Sequence, residues 1–168
     1  GGLEVPERPW PGGGTGATEL ALLADARPEF LPAVAQTFTE SCDVEAPLVA
    51  VGSREELEFA PELEGKILVI HGRAVVRLNV DRNYNLLTAE ERRPAALIVV
   101  SPAETVSTKL LRDPFLRVPG VAVSRSFGAR LIGRPGRSVR RRIRPLRATA
   151  VGRRVFGRIS GDEHRRVN

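Results

Sequence analysis

Apolar residues along this chain fall in short unbroken runs rather than in long helical stripes. APLVAVGS (46–53) is apolar and β-branched and closes at Gly52. GKILVIHG (65–72) sets an apolar run between glycines, and PAALIVVS (94–101) and VPGVAVS (118–124) repeat the form. A run of this length between turn residues predicts a strand buried on both faces. SVRRRIRPLR behaves differently. Val139, Arg141 and Ile143 alternate with Arg140, Arg142 and Arg144, which predicts a half-buried strand with one solvated face. Pro145 suits an edge or a strand end. VGRRVFGRISG (151–161) alternates loosely and predicts one more strand.

Helical signals are fewer. Arg82–Arg93 is the best helix candidate, with Asn83 or Asn85 as cap and Pro94 as stop. REELEFAPELEG (54–65) is loop-like with one helical turn at Arg54–Phe59. Thr105–Leu111 predicts a short helix, and SFGARLIG (126–133) a turn running into another. Residues 1–18, rich in Gly and Pro, read as a linker, with Trp10 either exposed or docked on a neighbour. ELALLADA (19–26) fits a helix or a strand, and Pro28 and Pro32 break the stretch up to residue 37. The resulting order, β–β–helix–β–β–helix–β–β, predicts a small mixed α+β fold.

The 168 residues suffice for one domain with a real core, and 42% apolar with 27% charged residues is a globular balance. Aromatics make up only 5%, so Val, Leu, Ile and Ala must build that core. The longest apolar run, Ala95–Val100, is far too short to span a bilayer. No signal peptide opens the chain, and methionine is absent even at position 1, so a mature product or a piece of something longer is expected.

Charge is unevenly placed. Residues 1–84 carry 7 basic and 14 acidic side chains, a net of −7; residues 85–168 carry 19 basic and 6 acidic, a net of +13. Either the second half binds a polyanion, or the halves attract each other, or the basic half faces an acidic neighbour. Only Lys66 and Lys109 are lysines. The arginines of 134–147 could neutralise phosphates, but no aromatic between Ser138 and Phe156 supplies the stacking that single-strand binders use. A wet strand face accounts for them better.

Candidate chemistry is sparse. Cys42 is the only cysteine, which excludes an intrachain disulfide and a Cys-based metal site. His71 ends an apolar strand. His164 lies beside Asp162 and Glu163, yet adjacent side chains of an extended segment point to opposite faces, so the three make no ready metal cage. Glu55, Glu56, Glu58, Glu62 and Glu64 crowd one stretch and read as a solvated face rather than an acid–base pair. PGGGTG (11–16) lacks the lysine and the strand-to-helix setting of a phosphate cradle. No catalytic, cofactor-binding or metal residue is assigned.

Several stretches, taken in order, resemble a protease-associated domain. They are Gly65-Lys66-Ile67-Leu68-Val69-Ile70, then Ala95-Ala96-Leu97-Ile98-Val99-Val100, then Val118-Pro119-Gly120-Val121 with Gly128-Ala129-Arg130-Leu131, and a closing strand at Val139–Leu146. ATAVGRRVFGRISG is similar to the strand by which such an insert rejoins a two-zinc aminopeptidase of the bacterial leucyl aminopeptidase or glutamate carboxypeptidase-like kind. Arg154 stands where that strand usually has Asn, and Pro94 where Gly usually precedes the second strand. The resemblance covers roughly residues 44–161. It implies an N-terminal linker and flank (1–43), a protease-associated domain (44–147) and a segment leading back toward a catalytic domain (148–168). The implied fold is a small β-sandwich or open barrel with flanking short helices. The implied role is non-catalytic, shaping access to a peptidase site or holding a partner, with zinc in the parent enzyme. The implied partners are the parent's catalytic domain or a peptide substrate, and relatives are often exported. The family's zinc ligands lie beyond Asn168, so the chain is expected to be inactive alone.

Overall fold

β-branched and leucine residues dominate every central strand, and the computed structural model shows why they come in unbroken runs. It describes residues 7–23, 28–37, 39–76, 78, 83–111, 116–133 and 138–153. The strands are β1 (Glu7–Leu23), β2 (Pro28–Phe30), β3 (Val34–Ala35), β4 (Cys42–Val51), β5 (Ile67–Ile70), β6 (Ala96–Val100), β7 (Gly120–Val123) and β8 (Ser138–Arg153). They form one sheet in the order β2-β1-β8-β4-β5-β6-β7-β3. The pairs β4–β5, β5–β6 and β6–β7 are parallel, whereas β8 runs antiparallel between β1 and β4.

All four side chains of β5 are buried because each face of the strand meets its own core. Ile67 and Val69 join Leu20, Leu22, Ile98, Val121 and Val139 on one side. Leu68 and Ile70 join Val51, Leu97 and Val99 on the other. Leu57 of helix α1 (Arg54–Glu58) and Leu86 and Ala89 of helix α2 (Tyr84–Glu91) cover that second face. Full burial of a Leu, Ile or Val side chain contributes about 2 kcal/mol of transfer free energy, so these four residues anchor the sheet.

The two ends of the sheet are nearly continuous in the chain. β2 pairs with β1 and β3 pairs with β7, and only Leu31–Ala33 separates them. Leu31 N–H donates to Leu20 O at 2.8 Å, which ties this link to β1. Residues 28–35 thus bridge both margins of the sheet, and the first core is the interior of the barrel so made. Pro32, which carries no N–H, sits in the gap where the segment changes partner.

Caps follow the sequence. Ser53 Oγ accepts from Glu56 N–H at 3.1 Å, and the Glu56 carboxylate accepts from Gly52 N–H at 2.6 Å. These two bonds start α1. Asn83 caps α2, and Ser124 caps helix α3 (Arg125–Ile132). Arg92, just past α2, donates to the carbonyls of Leu57, Glu58, Ala60 and Pro61, and so closes the exposed end of α1.

Three expectations change. The Gly- and Pro-rich stretch read as a linker is, from Glu7 onward, strand β1. Its composition carries no β preference of its own, and the ladder with β8 supplies the order. Thr105–Leu111 forms turns, not a helix, because its backbone groups bond elsewhere: Gln36 and Thr37 take Ser107 O and Thr108 O, and Leu111 N–H donates to Gln36 Oε1. Residues 151–153 continue β8 rather than opening a new strand, and 154–161 lie outside the described residues.

Candidate functional site

The arginine run splits across the sheet. Arg140 and Arg142 point outward on β8. Arg142 Nε donates to Asp43 Oδ2 at 2.9 Å, and Arg140 Nε lies 3.7 Å from Asp43 Oδ1. Asp43 stands opposite Arg142 in the ladder and Glu45 opposite Arg140, while Glu19 of β1 flanks Arg142 from the other side. Cross-strand pairs of opposite charge support the sheet. Acids from the first half of the chain therefore meet bases from the second. The same holds for Glu64 with Arg93 and for Glu29 with Arg130. A polyanion on this face would have to displace Asp43.

The hydrogen bond from Arg142 is the chief cause that holds the Asp43 carboxyl below the usual carboxylate range. A folded pKa below the unfolded one stabilises the fold above the unfolded value, and that contribution is lost as pH falls through the folded value. Glu58 and Glu104 are lowered in the same sense by bonds from Arg54 and from Ser126. The urea midpoint of the wild-type chain should therefore drop on acidification below about pH 4. In Asp43→Asn the drop should be shallower, and equal acid limbs would remove Asp43 from the account.

Arg141 points inward, on the side of Val139, as the alternation predicts. It is wholly buried at the base of the barrel, where its Nη1 donates to Leu97 O at 2.8 Å and Pro119 O at 3.0 Å. Cys42 begins β4 on the same interior side and packs against the first core.

His71 follows β5 and precedes a single 3-10 turn (Gly72–Val75) without a side-chain capping bond, its ring against Gly52. A Cβ on Gly52 would lie 2.6 Å from His71 Cε1, so glycine at 52 makes room for the ring. That is a packing role. Glu55, Glu56 and Glu58 lie on α1, and the Glu58 carboxylate accepts from Arg54 and from Tyr84 Oη. Among the described residues no three His, Cys, Asp or Glu side chains gather as a metal would need. His164, Asp162 and Glu163 lie outside the described residues.

At the opposite mouth of the barrel is an open cleft of about 370 Å³. Leu31, Val34 and Phe127 give it an apolar wall, and Glu104, Ser124 and Ser126 a polar rim. Ser126 Oγ donates to Glu104 Oε2 at 2.8 Å, which fixes the carboxylate near the start of α3. Nothing in the sequence marked this cleft, because its walls come from segments far apart in the chain.

Beyond the body of the sheet, β1 and β8 continue as a two-stranded ribbon. Glu7 to Gly14 pair with Leu146 to Arg153, past the last residues of β8 that pair with β4. The ribbon ends with Glu7 opposite Arg153, so the described residues begin and end at one place.

No protein-family model matches the chain, and no curated protein matches it. Solved structures do. An aminopeptidase from Aneurinibacillus sp. strain AM-1 superposes with a TM-score of 0.64 at 20% identity, over 90% of this chain and 37% of that one. A zinc aminopeptidase from Bacillus subtilis gives 0.61 at 16% identity, over 90% of this chain and 35% of that one. A psychrophilic subtilisin-like protease from Pseudoalteromonas sp. AS-11 gives 0.51 at 14% identity, over 83% and 35%. At these identities the likeness is one of fold. The chain spans well under half the length of each of these three structures.

Proposed function

We propose that this chain is a non-catalytic, protease-associated segment of a zinc-dependent aminopeptidase, where it shapes substrate access or packs against the catalytic domain. The observation that carries the reading is the ribbon: a unit whose first and last strands leave side by side, Glu7 against Arg153, can be inserted into a host fold without parting it. The comparisons support it. A fold found in both a zinc aminopeptidase and a subtilisin-like protease favours a role apart from either enzyme's catalytic chemistry. Zinc, in this reading, is held by ligands of the host, since the described residues bring no suitable set together. The cleft beside Glu104 and the outer face of β8 are the surfaces offered to substrate or host.

Reading the coding sequence past Asn168 tests the proposal. A zinc-ligand H-x-D motif shortly downstream, with spaced acidic and histidine ligands after it, is the expected result. A stop codon directly after Asn168 would sink it. Separately, the 168-residue chain with added zinc should not hydrolyse an aminoacyl anilide, and zinc-dependent turnover would contradict a non-catalytic role.

A further inference from the structure

Arg141 heads the fully buried side chains by volume. Nη1 is bonded to two carbonyl oxygens, but Nε and Nη2 have no partner among the described residues. Burial lowers its pKa only to about 10, so the guanidinium is charged at neutral pH. A buried cation calls for a nearby anion. Its two direct neighbours across the ladder, Leu20 on β1 and Val44 on β4, are apolar. Cys42 lies one step along the same face of β4, opposite Ile143 and thus diagonal to Arg141. Diagonal positions are about 7–8 Å apart at Cα, within reach of a long side chain. Cys42 is half-buried, and a thiolate there would favour the charged form of Arg141.

We propose that Cys42 is a covalent-modification site, its thiol ionising against the Arg141 guanidinium and its thiolate accepting a low-molecular-weight disulfide as a mixed disulfide. The Cys42 sulfur attacks one sulfur of the reagent. A new S–S bond forms as the old one breaks, and the departing thiolate carries off the electron pair. Cys42 is oxidised to a disulfide and half of the reagent is reduced to a thiol, so no further oxidant is needed. The other charged groups nearby act less directly. Asp43 with Arg140 and Arg142 occupies the opposite face of β4 and β8. Glu40 lies two residues upstream along the chain. β6 and β7 present only the carbonyls of Leu97 and, just before β7, Pro119 to the guanidinium.

The test is the pH dependence of thiol modification by an aromatic disulfide whose released thiolate is coloured, read on the folded chain and on the same chain in urea. One thiolate released per chain is expected, and none from Cys42→Ser. The midpoint in the folded chain should fall at least about one unit below the ~8.5 of an unperturbed thiol, which the urea sample should show. Arg141→Met should raise that midpoint to the unfolded value or above it and slow the reaction near pH 6 about tenfold, while Arg141→Lys keeps it low. Circular dichroism establishes which variants fold. Should Arg141→Met not fold, the wild-type comparison decides alone. A folded-state midpoint at or above that in urea, no reaction in the folded chain, or a folded Arg141→Met with the wild-type midpoint would each overturn the proposal.

Discussion

Gln36→Leu should destabilise the chain by about 3 kcal/mol, although leucine matches glutamine in size. Gln36 is 3% exposed, and its amide joins three partners at the base of the barrel. Nε2 donates to Val34 O and Ser107 O, each at 3.1 Å, and Oε1 accepts from Leu111 N–H at 3.0 Å. Leucine would strip the buried Leu111 N–H of its acceptor and remove the donor from Val34 O and Ser107 O, and a buried polar group without a partner costs about 1–3 kcal/mol. Chemical denaturation should show a lower midpoint with an unchanged slope. Gln36→Glu separates the two roles of the amide. It keeps the acceptor for Leu111 but sets a carboxylate against two carbonyl oxygens, so it should recover stability on acidification as that carboxyl takes a proton. A Gln36→Leu change under about 1 kcal/mol would mean that water replaces the amide.

Gly128→Val should cost about 3 kcal/mol by overpacking. Gly128 faces Val100 at the end of β6. A Cβ there would lie 2.2 Å from Val100 Cγ1, 2.6 Å from Cγ2 and 2.9 Å from Cβ. Rotating Val100 cannot relieve a clash with its own Cβ, so α3 must lift away from the sheet. Val100→Ala should restore part of the loss, and the double mutant should be more stable than the two single effects predict. Additive effects would show that α3 relaxes at no cost. In helix α3 the glycine is thus a spacer, against the ordinary preference of helices for residues other than glycine.

The central strands were legible because burial on both faces writes an unbroken apolar run. Ile67–Ile70, Ala96–Val100 and Gly120–Val123 lie inside the runs read from the sequence. α2 was legible from Asn83 and Pro94, and α1 from the acidic stretch after Ser53. β1 was not, since WPGGGTG owes its strand geometry wholly to a partner more than a hundred residues away. Thr105–Leu111 misled for a related reason, as its backbone bonds are taken by Gln36 and Thr37 rather than by its own carbonyls. Arg141 was placed on the apolar side by alternation. Its complete burial beside Cys42 depends on how the sheet curls, which no local pattern records. The cleft at Glu104 was invisible for the same reason.

The place of β8 bears on how the protein is made. It is the last described strand in the chain, yet it lies between β1 and β4 in the sheet. On a ribosome, β4 to β7 can pair in the order in which they emerge, while β1 has only the short β2 as a partner until residues past 138 are released. Closing so long a loop is entropically costly, and folds dominated by such distant contacts assemble slowly. The apolar side chains Leu20 and Leu22 are buried only when the barrel is complete. A nascent or truncated chain that lacks β8 would present them to solvent, so translation stalled before that strand should yield a species that chaperones hold and proteases clear.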